Sequence, residues 1–331
     1  MSNHHEKRYQ NERSEKNLPP LFKRQLFNVD LSRNCVSSSS EIEQPSFRIM
    51  QWNLLAQALS KGGDNFVLCP PEALVWDIRK LHIMEEILTP DPTIVCLQEV
   101  DHFKYIETEL GKAGYKGTFF PKPFSPCLDI TPNYGPDGCA IFWKSDAVDV
   151  INIKSVIIKE PTGYETNQVC IVIHMKLKQS NNRELFVAAT HLKAKKGYDQ
   201  VRHLQSKFID KLLKEMCGDS PVILCGDFNA DPSEKAYKEL MSSDLELSSA
   251  YTFLSENLEE PPFTTNKVRG SPLGPVAYCR TIDFVLFSKN KLAVSSILKF
   301  PTEEEIGEKR LPSFNYPSDH LSLVCDFQFK K

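Results

Sequence analysis

The sequence predicts an α/β fold in which two packed β-sheets carry helices on their outer faces. Apolar runs of strand length, rich in Val, Ile and Phe, recur along the chain between Gly, Pro, Asn or Asp. Segments between them repeat apolar residues at helical spacing. The runs VILCGDF and TIVCLQEV are almost wholly apolar, as strands covered on both faces are.

Residues 1–45 read as a disordered tail, because MSNHHEKRYQNERSEKNLPP is nearly devoid of apolar side chains. His4 and His5 read as solvated, and Ser37 to Ser40 as a linker. Glu6, Glu12 and Glu15 argue against a mitochondrial presequence, since transit peptides avoid acids. A cytoplasmic location is the expectation. Residues 46–331 read as one folded domain. FRIMQW, TIVCLQEV, CAIFWK, VCIVIHMKL, ELFVAATHL, PVILCGDF, TIDFVLFS and HLSLVCDF are its strands. Leu74, Ile78, Leu81, Glu85 and Leu88 mark a helix that Pro90 and Pro92 stop, and Val201, Leu204, Phe208 and Leu212 mark a second. DPSE predicts a third, with Asp231 as N-cap and Pro232 as its first residue.

Composition narrows the classes. The 331 residues carry a formal net charge of -3, so the surface as a whole does not attract nucleic acid. Phosphate affinity must come from a local cluster. The ten cysteines include no CxxC pair, and Cys96, Cys225 and Cys325 sit in apolar runs. They read as reduced, buried thiols. No apolar run approaches a membrane span. A monomer is expected.

Function enters through where polar residues interrupt the strands. FRIMQW ends in Asn53, TIVCLQ in Glu99, ELFVAAT in His191 and PVILCG in Asp227, with Asn229 two residues on. TIDFVLF and HLSLVCDF do the reverse, with Asp283, Asp319 and His320 at their starts. If these two run antiparallel to the others, all the groups meet at one edge. Taken singly, an Asn after a strand is a turn residue and a lone His a surface group. The recurrence at one end argues for a site.

Hard oxygen donors suit Mg²⁺ or Mn²⁺, with Glu99 the first ligand and Asn53 beside it. Asp227 suits the proton acceptor of an attacking water, with Asn229 orienting the phosphate. His320, paired with Asp283 or Asp319, and His191 could stabilise the charged intermediate. No Ser or Cys nucleophile motif appears, which favours direct attack by water. Lys122, Lys193, Lys195, Lys196, Lys267 and Arg269 lie next to these positions in the sequence.

WNLL, LQEV, THLKA, GDFNA, TIDF and SDHL, in this order, resemble the endonuclease/exonuclease/phosphatase superfamily over nearly all of residues 47–329. The resemblance implies a four-layer α/β sandwich, two mixed sheets flanked by helices, and Mg²⁺-dependent phosphoester hydrolysis by a single catalytic domain. It implies Glu99 as magnesium ligand with Asn53 close by. Asp227, Asn229, Asp283 and His320 would form the hydrolytic centre, and His191 would support the phosphate. The loops DNFVLCPPEAL, GTFFPKPFSPCLD and LPSFNYPSDHLSLVCDF resemble one branch of the family. For that branch the implied substrate is NADP⁺ or NADPH, losing its 2′-phosphate. Lys122, Asn167, Lys193, Lys195 and Arg269 would hold the dinucleotide. Lys195 stands where that branch typically carries Arg, and GSPLGPVAY after Arg269 looks like an insertion. A poly(A)-specific 3′ exonuclease acting on mRNA is the alternative within the same chemistry. A non-catalytic adaptor for mRNA-decay factors is the alternative outside it, and predicts losses among the catalytic words. Every one is intact.

Overall fold

The computed structural model describes residues 2–34, 46–60 and 65–331. In chain order come α1 (Ser2–Glu15), β1 (Leu26–Asn28), β2 (Phe47–Asn53), α2 (Trp76–Leu88), β3 (Ile94–Gln98) and α3 (Phe103–Lys112). Then follow β4 (Tyr115–Pro121), β5 (Gly138–Lys144), β6 (Val148–Lys159), β7 (Glu165–Leu177), β8 (Arg183–His191), α4 (Asp199–Cys217) and β9 (Val222–Asp227). The remainder is α5 (Lys235–Met241), β10 (Leu247–Ser249), β11 (Thr265–Arg269), β12 (Val276–Arg280), β13 (Asp283–Ser288), β14 (Leu292–Leu298), α6 (Glu303–Ile306) and β15 (Leu323–Phe329).

Pleating sorts the side chains into layers. In β2, Ile49 points into the space between the sheets, while Met50 and Trp52 point to the helices. One sheet has the order β1-β14-β15-β2-β3-β5-β4, the other β10-β13-β9-β8-β7-β6. Ile49, Ile94 and Ile141 of the first meet Ile171, Val187 and Cys225 of the second. The outer face of the first sheet is covered by Leu81 and Leu88 of α2 and by Ile106 and Leu110 of α3. Ile209 and Leu213 of α4 and Leu240 of α5 cover the second. This is the four-layer sandwich the sequence predicts. Each sheet has one parallel pair, β2–β3 and β8–β9, bridged by α2 and α4; the other ladders are antiparallel. All eight strands named from the sequence are present, and β13 and β15 run antiparallel to β9 and β2 as the site hypothesis requires.

The N-terminal expectation is overturned for residues 2–34. α1 packs against α2 and α3: Tyr9 is buried and donates to Glu109 Oε2 at 2.5 Å, and Arg13 Nε donates to Glu85 at 2.9 Å. Arg24 reaches Glu86 at 2.7 Å and the Ser322 carbonyl at 2.7 Å, with its side chain almost wholly buried. β1 adds an edge strand beside β14. Although poor in apolar residues, this segment is held by a few apolar anchors, Tyr9, Leu18, Leu21 and Phe22, and by buried ion pairs. Ser37 to Ser40 lie outside the described residues. Deleting residues 1–24 should leave Glu86 buried without its cation, costing about 3 kcal/mol or more. For a chain of this size that is about 5 °C or more in Tm. Calorimetry showing an unchanged Tm would refute the strap as a stabilising element.

The third helix also differs. α5 begins at Lys235, not Pro232, because Asp231 and Glu234 turn toward Arg280. The nine described cysteines are all free, and only Cys279 is not buried. Among the described residues no helix is long and apolar enough to cross a membrane.

Candidate active site

Strand register assembles the polar cluster. His191 faces Asp227 across the β8–β9 ladder, and Asp227 faces Asp283 across β9–β13. In the other sheet Asn53 pairs with Gln98, which places Glu99 just beyond. The antiparallel turn-in before β15 brings Asp319 and His320 to the same end. Asn53 Nδ2 donates to Asp227 Oδ2 at 2.9 Å and ties the two sheets together at the site. Glu99 and Asn229 have left-handed backbones, with φ of 54° and 50°. Such strain in non-glycine residues gathers where a side chain must be aimed.

The hydrogen bonds fix the electrostatics. His320 Nδ1 donates to Asp283 Oδ2 at 2.8 Å, and Thr264 Oγ1 donates to the same oxygen at 2.7 Å. His320 Nε2 faces Asp319 at 3.6 Å and Asp227 at 3.9 Å. Burial works against a charged imidazole here, but Asp283, Asp319 and Asp227 outweigh it and hold His320 up at about 10. It is therefore a cationic donor at neutral pH. His191 Nε2 lies 3.5 Å from Asp227 Oδ2; burial first, then the charges of Lys122 and His320, keep it neutral. Burial and the neighbouring Asp283 push Asp227 up to about 7, while His320 and the Asn229 and Asn53 hydrogen bonds pull the other way. A carboxylate so placed is a base poised near neutrality.

A cleft of about 840 Å³ opens on this edge, lined by Glu99, His191, Asp227, Asn229, Asp319 and His320 among others. Lys195, Lys196, Lys267, Arg269, Tyr278 and Arg280 also line it. Lys267 is ion-paired with Asp319, and Arg280 with Asp231 and Glu234. Lys195, Lys196 and Arg269 form no ion pair among the described residues. The Arg269 guanidinium lies 4.4 Å from the Tyr278 ring centroid. The segment after Arg269 forms the tip of the β11–β12 hairpin, with Arg269 opposite Val276, so it leaves that arginine in the ladder.

Other sequence-predicted residues take different places. Asn53 is buried, with Oδ1 accepting from Leu55 N–H at 3.0 Å and its amide on Asp227. It positions Asp227 through its amide, and its oxygen keeps one lone pair beyond the bond from Leu55 N–H. The Asn229 amide nitrogen gives one of its two hydrogens to the Leu192 carbonyl at 3.1 Å, which leaves its oxygen to accept from a water and its second N–H to donate to a phosphate oxygen. Lys122, Asn167 and Lys193 are not on the cleft wall. Lys122 Nζ pairs with buried Asp137 at 2.6 Å; Asn167 bonds Phe124 N–H and carbonyl, fixing that loop; Lys193 Nζ rests on the Tyr198 ring. Sequence adjacency to a strand end does not specify which way a loop side chain turns. The sequence reading missed Tyr278, Arg280, Arg202, Glu234 and Phe66. Arg202 binds Glu234 and the carbonyls of Lys193 and Lys195, so it shapes the lysine loop from below. The aromatic–basic alternation of VAYCR in β12 was the available signal.

A hard divalent cation fits this donor set. The Glu99 carboxylate accepts only Ala56 N–H at 3.1 Å, forms no ion pair among the described residues, and is raised chiefly by burial. Asp283 Oδ1 and Asp319 Oδ1 are buried without a hydrogen-bond partner. Asp227, Asp283 and His320 bring their ligand atoms within 4.8 Å of one another, but the Asp283–His320 bond engages that pair. Glu99 is the open carboxylate.

Residues 50–320 match the model of the Endonuclease/Exonuclease/phosphatase family. The chain belongs to that family. It is 49% identical to nocturnin of Homo sapiens over 316 residues, covering 94% of this chain and 70% of the relative. A solved structure of the human nocturnin catalytic domain with bound sulfate superposes with a TM-score of 0.77 at 40% identity, covering 94% of this chain and all of that one. The CCR4-Not complex 3′-5′-exoribonuclease subunit Ccr4 of Emericella nidulans is more distant, 23% identical over 85% of this chain and 52% of its own length. Family membership and the site together make the chain a phosphoester hydrolase of the nuclease and phosphatase kind.

Proposed function

We propose that the chain is a Mg²⁺-dependent phosphatase that removes the 2′-phosphate of NADP⁺ or NADPH by direct attack of water. The observation that carries the reading is a cleft of small-molecule size at the polar edge, with three cations, Lys195, Lys196 and Arg269, that form no ion pair among the described residues, beside a poised carboxylate. The likeness to nocturnin supports it. A dinucleotide carrying an extra phosphate presents separated anionic groups to such a wall. Arg269 offers a two-pronged grip and Lys195 and Lys196 point charges.

Each residue has a task in this scheme. Asp227 accepts the proton of the attacking water, with Asn53 holding one of its oxygens and Asn229 N–H the other. The Asn229 side-chain oxygen orients that water. Cationic His320, held by Asp283, donates from Nε2 to the charge that develops on the phosphoryl oxygens. Glu99 would hold the metal, which when bound supplies Lewis-acid neutralisation of that charge. His191 adds a neutral donor. No covalent intermediate is involved. The enzyme acts as a monomer in this reading.

The test is incubation of the purified chain with NADPH and Mg²⁺ beside a poly(A) substrate. Inorganic phosphate and NADH should appear, and a chelator should stop the release. Degradation of poly(A) without phosphate release from NADPH would replace this reading with an exonuclease of the Ccr4 kind. Neither reaction would return the chain to an adaptor of mRNA-decay factors.

A further inference from the structure

Arg79 on α2 is 1% exposed and forms no ion pair among the described residues. Its guanidinium is satisfied by acceptors from two loops. Nε donates to the Pro317 carbonyl at 2.6 Å, Nη1 to Gln57 Oε1 at 3.1 Å, and Nη2 to the carbonyls of Leu54 and Leu55, each at 2.5 Å. A buried cation whose direct partners are all uncharged is an expensive way to fill a core position. Its placement therefore needs a reason other than packing.

The two loops are the ones that carry the chemistry. The first follows Asn53: Leu55 N–H binds the Asn53 side chain, and Ala56 N–H holds Glu99. The second leads to His320: Ser318 Oγ donates to the Asn53 carbonyl at 2.7 Å and accepts from His320 N–H at 3.1 Å. We infer that Arg79 is a positioning residue whose planar fork clamps these loops together, fixing Glu99 relative to His320 and Asp319. The inference rests on the metal-dependent reading of this site. Burial pulls Arg79 down to about 10 while Asp101, Asp319 and Glu99 oppose it, so the clamp stays charged at neutral pH. A lysine keeps the charge but has a single nitrogen and cannot reach both loops in this geometry.

The experiment compares wild type, Arg79→Lys and Leu185→Ala, a core truncation at the far end of β8 that serves as a control for loss of stability. Calorimetric titration with Mg²⁺ alone, thermal melting, and kcat and KM for NADPH are measured on each. Arg79→Lys should weaken Mg²⁺ binding and kcat by about 10- to 100-fold, the range for residues that orient ligands from behind, with KM little moved. Leu185→Ala should lose Tm without shifting the Mg²⁺ constant. Equal Mg²⁺ constants for wild type and Arg79→Lys would overturn the inference. Should Arg79→Lys fail to fold, Gln57→Ala removes one arm of the clamp. It should weaken Mg²⁺ binding in the same direction, and an unchanged constant there would also overturn the proposal. Wild type that binds no Mg²⁺ and releases no phosphate would instead refute the functional reading on which the clamp depends.

Discussion

Asp227→Asn is expected to lower kcat by about 10²–10⁴-fold, the usual contribution of a positioned general base, while KM for NADPH changes little. Asparagine is nearly isosteric, so the pocket should keep its outline, but its one amide oxygen can accept from only one of Asn53 Nδ2 and Asn229 N–H, and its NH2 faces the other donor. What disappears is the proton acceptor. Asp227 lies near 7 and must be ionised to act, so activity should rise with pH through that range, from a limb that bound Mg²⁺ moves lower. His320 lies near 10 and must be protonated to donate, so activity should fall as pH passes that value. Initial rates measured between about pH 5 and 11 would show a bell. A rise that continues above the His320 limb would remove that residue from the donor role. An Asp227→Asn variant with wild-type kcat would move the base elsewhere.

The edge cluster was legible in the sequence because strand periodicity makes a polar residue at the end of an apolar run conspicuous. Asn53, Glu99, His191 and Asp227 break four such runs at one end. The inverted placement of Asp283 and His320 gives the antiparallel partners, which the register confirms. The layering was legible because VILCGDF and TIVCLQEV are apolar along their whole length, and such strands are covered on both faces. Loop direction was not. Lys122 and Lys193 follow strands as closely as Lys195, yet their nitrogens turn to Asp137 and Tyr198. The N-terminal segment was misread because Arg13 and Arg24 look solvated in a sequence and are buried by partners far along the chain, Glu85 and Glu86. Arg280 and Arg202 escaped for a related reason. Their worth lies in Asp231 and Glu234, which looked like the start of a helix.

Glu99→Gln should abolish measurable Mg²⁺ binding and with it phosphate release, yet leave the metal-free protein at least as stable as wild type. The two expectations have one cause. Burial, together with the nearby carboxylates of Asp319 and Asp137, raises Glu99, although Lys122 partly offsets this. A carboxyl group whose folded value lies above its unfolded one costs the fold stability once the pH exceeds the unfolded value, and that cost persists at neutral pH. Glutamine keeps the acceptor for Ala56 N–H and removes the uncompensated charge. A cation restores the balance in wild type, so Mg²⁺ should raise the wild-type Tm and leave the variant's unchanged. Melting curves with and without Mg²⁺ decide the matter. A Glu99→Gln protein that is less stable without metal, or still stabilised by Mg²⁺, would show that Glu99 is held by the fold for its own sake and that another group carries the ion. The opposite result would make Glu99 a residue kept at a cost to stability, its left-handed backbone included, because the reaction needs a bare carboxylate at that point of the edge.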